Sequence, residues 1–86
     1  MLKAEQLKVA TNSKPQKVAG AIAKILRDNK AVELYAIGAS AVNQAVKAVA
    51  IASSYTEKEL ACVPTFCDVS FTDKVKTGIK ITINVA

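Results

Sequence analysis

Histidine is absent from this 86-residue chain, arginine occurs once, as Arg27, and cysteine twice, as Cys62 and Cys67. Each scarcity removes a class of function. Without an imidazole there is no visible base beside a nucleophile, and the carboxylates are scattered along the chain, so catalysis is not expected. Asp68 and Asp73 could approach each other across a turn, but paired surface acids are common and usually inert. Zinc finds neither a histidine nor a second cysteine pair to complete four ligands, and no other cofactor is implied. Two cysteines do not make a disulfide framework. If both lie on one strand, their odd separation sends them to opposite faces, where they cannot bond to each other, and both thiols are expected to be buried. Gly38-Ala39-Ser40-Ala41 lacks the glycine spacing and the lysine of a phosphate-binding loop. The aromatics Tyr35, Tyr55, Phe66 and Phe71 are scattered and, with a single arginine, give base-specific readout little support. No apolar run is long enough to cross a bilayer. The opening MLKAEQLKV carries charges and no apolar signal core, so the chain is expected in the cytoplasm, without a membrane partner.

What is present is a chain that is 51% apolar and carries 12 Lys and Arg against 7 Asp and Glu, a net charge of +5. That apolar content suits one globular domain spanning residues 1–86. The positive balance favours an anionic partner, and a domain this small gains stability from oligomerising.

The chain is organised around AIGASAVNQAVKAVAIA, Ala36 to Ala52. It reads as a strand end, a turn at Gly38 and a helix from about Ser40 to Ser54. Val42, Ala45, Val46, Val49 and Ser53 fall on one face at helical spacing, the expected core stripe. The opposite face carries Gln44, Lys47, Ala48 and Ile51. Because it too is largely apolar, a second chain or a ligand is expected to cover it, with Lys47, Ala48 and Ile51 at an oligomer interface.

The rest follows in order. Glu5 to Ala10 alternates as a strand. Ser13-Lys14-Pro15-Gln16 reads as a capping box opening a helix that ends at Asn29-Lys30, with Val18, Ile22, Ile25, Leu26 and Asn29 inward. Val32 to Ile37 is apolar on both faces apart from Glu33 and belongs in the centre of a sheet. Tyr55 to Lys58 reads as a polar link. Glu59 to Val69 contains Pro64 and belongs at an edge, and Thr72 to Thr77 reads as a charged turn. Gly78 to Val85 alternates, with Ile79, Ile81, Ile83 and Val85 inward. The order β-α-β-α-β-β with right-handed crossovers puts both helices on one face of a four-stranded mixed sheet, an α/β two-layer sandwich. The other face, bearing Lys8, Tyr35, Lys80 and Thr82, is left open.

The segments VAGAIAK from Val18, AIGASAVNQAVKAVAIA from Ala36, CVPTFCD from Cys62 and KTGIKI from Lys76 closely resemble the stage V sporulation protein S family along nearly the whole chain. Ser40 stands where glycine is expected, a harmless change if it caps the helix. The resemblance implies a small bacterial cytoplasmic regulator of late sporulation and septation. It also implies a fold similar to the Alba chromatin proteins and to the C-terminal domain of translation initiation factor three, with strand order 1-2-4-3 and the last strand antiparallel to the rest. Alba proteins dimerise and bind DNA or RNA, and the same is expected here.

By comparison with the two basic places of Alba proteins, Lys14 and Lys17 match the lysine-rich turn into the first helix. With Asn12 and Ser13 they would cradle a phosphate. The turn into the second helix offers Gly38 and Ser40 for a close phosphate approach but no positive charge. Lys24 and Arg27 extend the first helix's outer row, and Tyr35 between Lys8 and Lys80 is the one candidate stacking platform. The alternative is a protein-protein adaptor that uses the apolar second helix and the Pro64 edge strand, with its charge serving solubility.

Overall fold

The computed structural model describes residues 4–70 and 72–86. Phe71 and the first three residues lie outside the described part. The elements are β1 (Glu5–Val9), α1 (Pro15–Arg27), β2 (Val32–Ala36), α2 (Ala39–Thr56), β3 (Leu60–Ser70) and β4 (Val75–Val85). The sheet order is β1-β2-β4-β3. β1 and β2 pair in parallel, whereas β4 runs antiparallel to both β2 and β3. The two-layer architecture, the central β2 and the edge position of the Pro64 strand are therefore as the sequence predicts. Tyr55 and Thr56 extend α2 instead of linking, and Val75 to Thr77 belong to β4 instead of a turn.

Alternation decides the inner face. Leu34 pairs with Ile81 and Val32 with Ile83, and these four side chains are all but fully buried. Against them lie Ile22 of α1 and an alanine row, Ala19 and Ala23 of α1 with Ala41, Ala45, Ala48 and Ala52 of α2. Small residues along this row let the two helices approach closely. Truncating Leu34 to alanine in such a core costs about 2–5 kcal/mol.

The phase of α2 departs from the expected one. Its buried residues are Ala41, Ala45, Ala48, Val49 and Ala52, and Val46, expected inward, is 51% exposed. Ala48, expected at an oligomer interface, has no exposed surface at all. Where helices pack closely the smallest side chains face in, and the larger Val46 is displaced outward.

The caps differ as well. Gly38 is the N-cap of α2, at φ 91°, a conformation a side chain rarely adopts. Ser40 lies within the helix and does not cap it. Ser13 does not cap α1 either. That position belongs to Lys14, while the Ser13 hydroxyl accepts from the Ala10 N–H at 2.9 Å. Both helices end in paired backbone bonds of the Schellman kind, from Asn29 and Lys30 back to Leu26 and Ile25, and from Glu57 and Lys58 back to Ser54 and Ser53. Asn29 (φ 59°) and Glu57 (φ 55°) occupy the left-handed position.

β3 and β4 are eleven residues each, but β2 pairs with β4 only from Ile79 to Ile83. From Cys67 paired with Gly78 to Ser70 paired with Val75 the hairpin continues as a two-stranded arm beyond the sheet. The helices leave the β3 side uncovered. Phe66, Pro64 and Cys62 face the helix layer, opposite Ile79, Ile81 and Ile83, yet Phe66 is 82% exposed. Val85, expected inward, is also half exposed at the strand end.

Candidate nucleic-acid interface

The β1–α1 turn is held from two directions. Within it, the Ser13 N–H donates to the Ala10 carbonyl at 3.0 Å, and the Ala10 N–H donates to the Ser13 hydroxyl. From α2, the Gln44 amide donates to the carbonyls of Thr11 (3.3 Å) and Ser13 (2.9 Å). The turn thus presents Asn12 and Lys14 to solvent on a fixed backbone, and Lys17 is exposed in the first helical turn of α1. The cradle is poorer in donors than expected. The Ser13 N–H is spent on Ala10, the Lys17 N–H on Lys14, and Pro15 has none. The turn therefore offers an anion its lysine side chains more than its helix terminus.

On the outer sheet face one cross-strand row reads Lys8, Tyr35, Lys80 and Thr65. The Tyr35 hydroxyl accepts from Gln6 Nε2 at 3.2 Å and donates to Glu33 Oε1 at 3.1 Å. The other Glu33 oxygen lies 3.8 Å from Lys80 Nζ. Tyr35 is therefore tethered at its polar end, and its ring lies in place on the sheet. Its phenol pKa is raised by desolvation first, then by the hydrogen bond to Glu33, the Glu33 charge and the nearby Cys67 thiol. Lys80 is partly neutralised by Glu33, whereas Lys8 makes no ion pair among the described residues.

Beside this row is a groove of about 800 Å³, walled on one side by Lys8 to Asn12 and on the other by Cys67 to Ser70 of the hairpin arm. Tyr35 and Ile37 line it too. The turn that carries Lys14 is thus continuous with one wall of the groove.

The remaining expected contacts do not join this surface. Lys17 and Lys24 stand one above the other on the exposed side of α1, which lies across the sandwich from Lys8 and Lys80. Arg27 is engaged structurally, donating to the Tyr55 carbonyl at the end of α2 at 2.9 Å. Gly38 and Ser40 are exposed, but no lysine or arginine stands in their turn. Lys47 is exposed and Ile51 packs partly against the core, so with Ala48 buried the expected interface on α2 shrinks to its flank.

The cysteines lie on opposite faces, Cys62 opposite Ile83 and Cys67 opposite Gly78. Neither is fully buried, because β3 runs past the helix layer. Cys62 is exposed at its surface, yet partial desolvation by its neighbours pushes its thiol pKa up. The places of Gln44, Cys67 and Phe66 in this architecture were not visible in the sequence. Gln44 reads there as one polar side chain on a helix, and Cys67 and Phe66 acquire meaning only once the arm and the uncovered side of β3 exist.

None of the described helices is long and apolar enough to cross a membrane. A family model described as stage V sporulation protein S (SpoVS) matches residues 5–86, every element from β1 to β4. The chain belongs to the stage V sporulation protein S family, with the sporulation-related role that this membership implies.

Proposed function

We propose that this chain acts in the cytoplasm as a regulator that binds nucleic acid without sequence preference, through phosphate contacts centred on Lys14 and Lys17. The observation that carries this reading is the β1–α1 turn, whose backbone Gln44 clamps, with Lys14 exposed at its end and Lys17 exposed in the first turn of the helix it opens. Phosphate contacts of this kind position a protein on any sequence. The single arginine, engaged at Tyr55, is not free for bidentate readout of guanine.

The functional unit is a dimer. Its contact face is the uncovered helix side of β3 with the exposed flank of α2, including Phe66, Pro64 and Val46. This patch is apolar, and Phe66 borders a hollow of about 230 Å³ formed with Pro64, Thr65 and Ile79. In a two-fold contact each Phe66 would fill its partner's hollow. Pairing doubles the phosphate contacts and so converts weak binding into useful avidity.

The same exposed Phe66 supports the adaptor as a second reading, with a heterologous protein on the patch. Titration of binding to duplex DNA and single-stranded RNA against salt, with Lys14→Ala/Lys17→Ala alongside, separates the two. Steep salt dependence, and a log–log slope that falls by about one for each lysine removed per contact, supports nucleic-acid binding. No binding at low salt leaves the adaptor.

A further inference from the structure

From the open-face groove we infer that an unpaired base of a single strand stacks on Tyr35, between Lys8 and Cys67 of the hairpin arm, which makes the protein prefer single-stranded to duplex nucleic acid. This rests on the nucleic-acid reading above and goes beyond it, because phosphate contacts at Lys14 and Lys17 do not discriminate between the two. The groove, at about 800 Å³, falls within the range of sites that enclose small organic groups. Its aromatic floor is prepared in advance. Gln6 and Glu33 hold the Tyr35 hydroxyl from two sides, so the ring gives up little freedom when a base arrives.

Charge orients the strand. Lys8 and Asn12 line the end of the groove nearest the Lys14 turn, and Cys67 and Val69 line the hairpin-arm side. The arm residues that face the groove carry no positive charge, so the phosphate backbone goes toward Lys8 and the base toward Cys67 and Val69. In a duplex the base faces are stacked inside the helix and cannot reach Tyr35.

The test compares a short single-stranded oligonucleotide with its matched duplex by fluorescence anisotropy at low salt, using the wild-type chain, Tyr35→Ala and Tyr35→Phe, with thermal melts to confirm folding. Single-strand affinity should fall about ten-fold in Tyr35→Ala, stay near wild type in Tyr35→Phe, and leave duplex affinity unchanged. Independently of any substitution, Cys67 lines the groove and Cys62 lies on the other face. Saturating single strand should therefore slow alkylation of Cys67 in the wild-type protein, and duplex should not. Unchanged single-strand affinity in a folded Tyr35→Ala protein, or unprotected Cys67 at saturation, overturns the inference. If Lys14→Ala/Lys17→Ala still abolishes binding to both forms, the phosphate reading survives that failure. Absence of any binding removes both.

Discussion

The two faces of β3 are built from alternate residues of one strand, yet they meet different surroundings. On the helix side Cys62, Pro64 and Phe66 form an apolar strip that the helices leave largely exposed. On the outer side Thr65 and Cys67 belong to a polar surface with Lys80, Tyr35 and Lys8. The first suits a protein surface and the second an anionic strand. An edge strand can thus present two chemically different surfaces, because a period of two sends neighbouring residues to opposite sides.

The sharpest way to break that comparison is to place the same charge at adjacent positions. Phe66→Asp should weaken dimerisation on the order of 100-fold or more, as expected for a central aromatic contact, without unfolding an exposed site. Cys67→Asp, on the outer face and outside that hollow, should leave assembly unchanged. Sedimentation of both variants over a concentration series decides it, and equal dimerisation would remove the helix-side strip as an interface.

Gly78 tests how firmly the outer face is anchored. A Cβ there would lie 2.9 Å from the Ala36 carbonyl oxygen and 3.0 Å from Ile37 Cγ1. Gly78→Val should therefore cost about 1–3 kcal/mol in denaturant unfolding, splaying β2 from β4 beside the groove. An unfolding midpoint equal to wild type would mean that the arm yields freely.

The tether on Tyr35 has a pH signature. A phenol pKa raised above the ordinary 10.0 in the folded chain contributes stability that is complete below the unfolded value and lost as pH rises through the folded one. In a Tyr55→Phe background Tyr35 is the only tyrosine, and its ultraviolet titration should have a midpoint above 10.0. Glu33→Gln should lower that midpoint without restoring the ordinary value, since desolvation is the larger cause. An unmoved midpoint in Glu33→Gln would mean that the hydrogen bond does not persist in solution.

The smallest effect belongs to neither face. Glu57 ends α2 at φ 55°, where glycine is free of the penalty that a side chain incurs. Glu57→Gly should stabilise the chain by up to about 1 kcal/mol, read as a modest rise in melting temperature.

These regions were legible to different degrees for physical reasons. Ile79, Ile81 and Ile83 alternate with polar residues, so β4 and its buried face could be read directly. β2 announced its central place by being apolar on both sides, and Pro64 announced an edge. The phase of α2 could not be read in this way, because a helix made of alanine and valine has little hydrophobic contrast around its circumference. Size, not polarity, decided that Ala48 faces in and Val46 out. Ser13 had the spacing of a cap, but a tighter local turn claimed its hydroxyl. That Lys14 and Lys17 are exposed followed from their type and position. The groove required the overhang of the hairpin arm, a property of strand lengths that appears only in the register.

Pro64 has a consequence beyond marking an edge. The Ala86 N–H bonds the Glu59 carbonyl, so the odd-numbered residues of β3 occupy the hydrogen-bonded positions toward β4 and the even-numbered residues turn their N–H groups to the open side. Pro64 is one of these, and the row of donors that an incoming strand would need is broken near its middle. Endless strand-on-strand growth into fibres is disfavoured at the place where it would otherwise begin.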